Sequence, residues 1–344
     1  MTAVLPIDTI DRVCLVVNDH RRAVEQLSRF FGVRRWEVWE RSRDRLVNAR
    51  LDGADADFAY VSAIGSVGRV GFEVIEPLQG ESGFSRFLDW HGPGLSHAVV
   101  SGAGSFAANA DAIKAAGIAV EQQMTAGAYD HYLLDTRARL GGLSIMLEED
   151  NDRTERRPET IEYDFEPVLP VQDLYQISVI VKDRDAAKRQ FDEVLGISDW
   201  VDIGIDTQQG VEDATYYGKP ADQAASIAIG RTGGACIEVV QHLRGDTVYR
   251  DVIEKHGEAP HHIMCTLCPP EQYQRAVAAA AAMGIEVSQG ATIPGLMGFG
   301  YLDGRASLAG LFVEVITPLA DNWLELMFPS AELARVVVGD HYPG

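Results

Sequence analysis

Apolar residues along this chain recur with two alternating periods, and the alternation itself repeats. VCLVVND (Val13 to Asp19) is a short β-branched run that reads as a buried strand. The next stretch spaces Val24, Leu27, Phe30 and Phe31 three or four apart, as one helical face requires, and Gly32 ends it. From there to Pro77 the residues alternate as strands and turns. At His97 the pattern begins again: HAVVSG is a strand, SFAANADAIKAAGI is a helix stopped by Gly117, and further strands run to Leu147. The rest of the chain goes through the same sequence of elements once more, with HIMCTL and EQYQRAVAAAAAMGI in the matching places. This predicts an α+β protein of four βαβββ modules.

The second pass is a copy of the first. RVCLVVNDHRRAVEQLSRFFGVRRW (Arg12 to Trp36) aligns without a gap on QISVIVKDRDAAKRQFDEVLGISDW (Gln176 to Trp200), pairing Asp19 with Asp183, Gly32 with Gly196 and Trp36 with Trp200. Downstream the pairs are Glu73 with Glu238, His91 with His256 and His97 with His262. They continue as Asp135 with Asp303, Arg137 with Arg305 and Met146 with Glu314. One duplicated unit with two small length changes accounts for all of them. The expected division is an N-terminal domain over 1–150, a linker over 151–171 and a C-terminal domain over 172–318. A helical appendage over 319–344 would dock on the body by its apolar stripe. The linker is charged, bears prolines and shows no apolar periodicity.

Composition narrows the partners. A net charge of -21 repels phosphate backbones, which argues against nucleic acid and anionic membranes and leaves a small-molecule substrate. No apolar run is long enough to span a bilayer, and the charged N-terminus lacks a signal-peptide core, so a cytoplasmic protein is expected, with a homodimer left open. Four cysteines give no disulfide framework. Cys265 and Cys268 form a C-x-x-C without the second pair that a tetrahedral zinc site needs, and read as structural.

The repeat singles out Gln176, Glu238, His262 and Glu314. One amide oxygen, two carboxylates and one imidazole suit a divalent metal with room for water or substrate. Glu238 and Glu314 sit inside the apolar runs CIEVV and LFVEVI, where an unpaired carboxylate is costly. The matching positions of the first copy hold Arg12, Glu73, His97 and Met146. An arginine cannot ligate and a thioether is a poor partner for a hard cation, so that copy is expected to be metal-free, with Arg12 turned to Glu73. His261 should face away from His262, at the surface or an interface, because side chains alternate along a strand. Cys236 reads as packing, His91 and His256 as turn residues. Arg137 and Arg305 read as salt-bridged loop arginines, either of which could meet an anionic group.

The module pattern, the phrases EPLQGESGFSRFLDWHGPGLSH and EKHGEAPHH, and the closing strands GGLSIMLEE and AGLFVEVITP resemble the vicinal-oxygen-chelate superfamily of glyoxalases, bleomycin resistance proteins and extradiol dioxygenases. In motif the chain is most similar to methylmalonyl-CoA epimerase and glyoxalase I, over Ile10 to Pro318. The resemblance implies two tandem glyoxalase-like domains and a divalent ion (Zn, Ni, Co, Mn or Fe) on Gln176, Glu238, His262 and Glu314. It further implies a metal-dependent lyase or isomerase/epimerase that moves a proton next to a carbonyl or thioester, with Glu314 the preferred base and Glu238 its partner. The epimerases place His where Gln176 stands and Gln where Glu238 stands. Two other activities occur on this scaffold: ring cleavage by extradiol-type dioxygenases, which use a two-His-one-carboxylate iron triad, and non-catalytic ligand binding by resistance proteins.

Overall fold

Local chemistry starts and stops the helices of the repeat. The Asp19 side chain accepts a hydrogen bond from Arg22 N ahead of helix His20–Phe31, and Gly32, at φ +82°, ends it in the left-handed region. In the second copy Asp183 caps helix Arg184–Leu195 in the same way, and Gly196 closes it. The structure, a computed structural model, describes residues 3–102, 104–328 and 330–341.

Among the described residues the strands form sheets of 11 and 10 strands. The second runs Trp200–Asp206, Ala224–Thr232, Ala235–Arg244, Gln176–Val181, Ala259–Leu267, Leu311–Pro318, Met297–Gly304, Glu286–Ile293, and ends on the small hairpin of Glu212–Tyr216 and Lys219–Pro220. The first sheet repeats this order strand for strand, so the fold is α+β with four βαβββ modules in two matched halves. No described helix is long and apolar enough to cross a membrane.

The first sheet has one strand more, which lies inside the segment read as the linker. Glu159–Glu162 pairs antiparallel with the edge strand Arg35–Arg41, placing Ile161 opposite Trp36. Beyond it Tyr163 N bonds Arg34 O and Leu169 N bonds Phe30 O. The segment has too few apolar residues to show a period of its own; an existing edge supplies its hydrogen bonds.

A single core spans both halves, joining Val24, Leu27 and Phe31 of the first helix to Ile177, Phe191 and Val194 of the second half. The contact is nearly symmetric. Ala309 N donates to Gln26 Oε1 from the first half's helix, and Arg139 bonds Gln190 of the matching helix. Gly310 and its counterpart Gly142 press on the opposite half: a Cβ on Gly310 would lie 2.1 Å from the Pro93 carbonyl oxygen, and one on Gly142 2.6 Å from the Ala259 Cα. His91 and His256, each at a helix end, stack across the junction with ring centroids 4.3 Å apart. The concave faces differ. The first is filled by its own side chains, among them Phe58, Tyr60, Phe84, Phe87 and Met146. The second packs Trp323, Phe328 and Val337 from the C-terminal segment.

Two outcomes are expected. Gly310→Ala combines positive φ with a backbone collision and should destabilise the protein by about 1–3 kcal/mol, read as a lower urea midpoint. Burial pulls the His97 imidazole down to about 4, and burial followed by His256 does the same to His91. In the unfolded chain both titrate near 6.5. Stability should therefore be full above that value and fall as pH drops toward 4, where the unfolded chain binds protons that the folded one refuses. For His97 the loss amounts to at most about 3 kcal/mol, and His97→Gln should flatten the dependence of the unfolding midpoint on pH.

Candidate metal centre

Four neighbouring strands in the middle of the second sheet bring the repeat-selected residues together. Gln176 opens its strand opposite Cys236 on one side and Met264 on the other. Glu238 lies on the first of these neighbours, His262 on the second, and Glu314 on the strand beyond His262, where Phe312 is the partner of His262. All four side chains are buried. Gln176 Nε2 donates to Glu314 Oε2 at 2.8 Å and lies 3.1 Å from His262 Nε2. That same imidazole nitrogen is 3.2 Å from Glu238 Oε2 and 3.3 Å from Glu314 Oε2.

Burial and a neighbouring acid act together on Glu238. Burial, followed by the Glu314 charge, raises the Glu238 carboxyl above its ordinary range. Burial would lower the His262 imidazole, but Glu238 and Glu314 more than offset it and lift it to about 9. Glu238 Oε2, although close to His262, makes no hydrogen bond: the approach is off the bonding direction. One atom each of Glu238, His262 and Glu314 lies within 4.8 Å of the others. An imidazole, two carboxylates and an amide on rigid strands, with one buried acid oxygen unbonded, fit a divalent cation, which would supply the positive charge that His262 otherwise carries as a proton.

His261 is not at the surface but borders the junction of the two halves. It is buried, and its Nδ1 lies 2.8 Å from His262 Nδ1 while its ring packs on Tyr249, Tyr301 and Phe312. A break in register, between the pairs Ile177–Ile263 and Val179–Pro260, interrupts the alternation that would have sent it outward.

Above the four residues is a narrow cavity of about 40 Å3. Its walls are Ile203, Ile205, Ile227 and Ile229, with Met297 and Phe299 from a further strand. Trp323, Met327, Phe328 and Val337 of the C-terminal helices Trp323–Met327 and Ala331–Val338 close it. Cys236 is buried beside that closure, its thiol donating to Val336 O at 2.6 Å. Tyr249 and Tyr301 share a hydroxyl–hydroxyl hydrogen bond of 2.7 Å in the same cavity. Burial holds both phenols neutral, well above their ordinary range. Sequence reading passed over these tyrosines, although Met297, Phe299 and Tyr301 recur with the period of two that puts residues on one strand face.

The first half carries different chemistry at the matched positions. Arg12 Nε donates to Glu73 Oε2 at 3.2 Å and Arg12 also bonds Glu148, while Ser62 donates to Glu73 Oε1 at 2.6 Å. Phe84 stacks on His97 at 5.8 Å. Arg137 and Arg305 each pair with the aspartate two residues earlier, Asp135 and Asp303. Cys265 and Cys268 are buried and unbridged.

Residues 175–301 match the family model of the glyoxalase/bleomycin resistance protein/dioxygenase superfamily. No curated protein sequence matches the chain. Among solved structures, a mutant of 4-hydroxymandelate synthase from Streptomyces coelicolor is similar with a TM-score of 0.55 at 13% identity, over 91% of this chain and 93% of that one. A fusion protein of a xylose isomerase-like TIM barrel and 4-hydroxyphenylpyruvate dioxygenase gives 0.47 at 11%, over 92% of this chain and 49% of the other. BphC, a halotolerant catechol dioxygenase, gives 0.43 at 16%, over 92% and 90%. Residues 175–301 thus match the glyoxalase/bleomycin resistance protein/dioxygenase superfamily, the vicinal-oxygen-chelate proteins, and most of the chain shares its fold with a solved structure.

Proposed function

We propose that the second half is the working half of a metal-dependent lyase or isomerase that moves a proton on the carbon beside a carbonyl of a small, mainly apolar substrate. The observation that carries this reading is the approach of two buried carboxylates, Glu238 and Glu314, to one imidazole nitrogen of His262. A divalent ion held by Gln176, Glu238, His262 and Glu314 would supply a Lewis acid for neighbouring substrate oxygens. Gln176 would present its amide oxygen to such an ion after a half-turn of the amide, whose nitrogen now donates to Glu314.

The two acids are not equivalent. Glu314 is tied by Gln176, whereas Glu238 has an oxygen without a hydrogen bond and a raised pKa. Glu238 therefore suits the general base better than Glu314, the choice favoured on sequence. One hydroxyl hydrogen of the Tyr249–Tyr301 pair is spent on the other tyrosine, and the second can be donated to an oxygen that gains negative charge as the proton leaves. The isoleucines and the C-terminal segment make the wall apolar, and among the described residues no lysine or arginine lines the cavity. That favours a compact apolar carbonyl compound over a thioester with a long charged arm.

A second reading is an extradiol-type ring-cleavage dioxygenase; the likeness to a mutant 4-hydroxymandelate synthase over nearly the whole chain supports the shared fold and not ring cleavage itself. Against it, Gln176 stands where a two-His-one-carboxylate iron site needs its second imidazole.

Metal analysis of the purified protein should find one divalent ion per chain; none at stoichiometric level would sink the reading. His262→Ala and Glu314→Ala should lose the ion. Glu238→Gln should keep it and lower turnover by about 10²–10⁴-fold. Oxygen uptake with ferrous iron and a catechol would transfer support to the second reading.

A further inference from the structure

Where the two halves meet, a cavity of about 200 Å3 lies between the duplicated His-Gly turns, bordered by His91, His256 and His261. His261 is only 4% exposed. Two residues that border this cavity each carry a buried ring nitrogen, His256 Nδ1 and His261 Nε2, with no hydrogen-bond partner among the described residues. Buried polar atoms left unpaired are rare and costly, so two of them on residues that border one cavity point to an occupant.

The charges around it indicate which kind. In a chain of net charge -21, the ionic residues at this cavity are Lys255, Arg305 and a single acid, Asp251. Asp251 is engaged by the Tyr216 hydroxyl at 2.7 Å. Arg305 gives Nε and one terminal nitrogen to Asp303 and Tyr217, which leaves its other terminal nitrogen for a ligand, and the residue lines the cavity. Leu95, Val252 and Phe312 supply an apolar wall.

The proton between the two histidines adds a donor. His261 Nδ1 and His262 Nδ1 are 2.8 Å apart and share one hydrogen. If His262 Nε2 faces a metal ion, its Nδ1 carries that hydrogen and His261 Nδ1 accepts it. A neutral His261 must then hold its own proton on Nε2, as an N–H donor with no partner. This step rests on the metal reading; the cavity, the cations and the unpaired nitrogens do not.

We propose that the cavity between the halves is a second binding site, for a small oxyanion of the carboxylate or phosphate type, held by Arg305, Lys255 and the His261 Nε2–H. An occupant accepting from His261 also strengthens the His261–His262 hydrogen bond and so bears on the imidazole of the metal centre.

Calorimetric titration of the full-length protein with sodium phosphate and, separately, sodium acetate tests this, at constant ionic strength set with chloride. One saturable site per chain is expected. Response to phosphate alone assigns a phosphate-type ligand, and response to acetate alone a carboxylate. Arg305→Gln should weaken binding about tenfold, as expected for a lost charge-assisted hydrogen bond. Lys255→Gln should weaken it less, and Arg137→Gln, at the matched place in the other half, should leave it unchanged. No saturable binding of either salt, or binding indifferent to both cavity substitutions, overturns the proposal. Because Arg305→Gln also loses the Asp303 pair, its melting is checked, and Lys255→Gln carries the test if that variant does not fold. Metal content is measured on the same preparations. Oxyanion binding that depends on Arg305 in protein without a stoichiometric ion upholds the second site and removes the metal reading, and the converse result removes only the second site.

Discussion

Burying two carboxylates against one imidazole is the constraint from which the rest of this structure follows. Taken alone, each acid inside an apolar strand is far too costly, since a charge in a dry interior needs either a partner or a proton. Around Glu238 and Glu314 the compensation is positive charge at His262, held as a proton or replaced by a cation, together with the Gln176 amide. In the first half Glu73 occupies the matched place, and compensation comes from Arg12 and Ser62 instead. One sheet architecture thus solves the same electrostatic problem twice. One solution is a donor set that fits a cation, and the other pairs the acid with a guanidinium of the chain itself.

The interiors follow the same division. Where Arg12 closes the first site, Phe58, Tyr60, Phe84 and Met146 fill the concave face. Around Glu238 and Glu314 the face keeps a cavity walled by isoleucines and covered by the C-terminal segment. The first half is nonetheless packed tightly on the second. Both halves bury their helices in one continuous core, and each lays a glycine of its closing loop on the strand of the other. The same junction brings His91, His256 and His261 together, although no segment of the chain contains all three.

Much of this was legible in the residues themselves. Strand and helix periods are local, and Asp19 and Gly32 mark helix ends by their own hydrogen bonds and dihedral freedom, so the module order could be read without contacts. The duplication then turned four scattered residues into one set. Equivalent positions on equivalent strands must face equivalent ways, and the sheet order brings Gln176, Glu238, His262 and Glu314 onto adjacent strands.

Other features arise only between distant segments. Glu159–Glu162 is a strand because the edge beside Trp36 offers hydrogen bonds, not because of its composition. His261 is buried because a register break overrides alternation, and a break is decided by how two strands pair. The preference between Glu238 and Glu314 depends on which of them Gln176 reaches. Tyr249 meets Tyr301 across 52 residues of chain, and the C-terminal helices cover a cavity built from strands more than a hundred residues earlier as well as nearby ones. Local sequence thus settled the elements, their duplication and the donor types, because periodicity, capping and ligand chemistry belong to individual residues and their near neighbours. Tertiary structure decided which donors stay free, what lines the cavity and what lies between the halves, because those are set by packing between surfaces that the chain brings together only on folding.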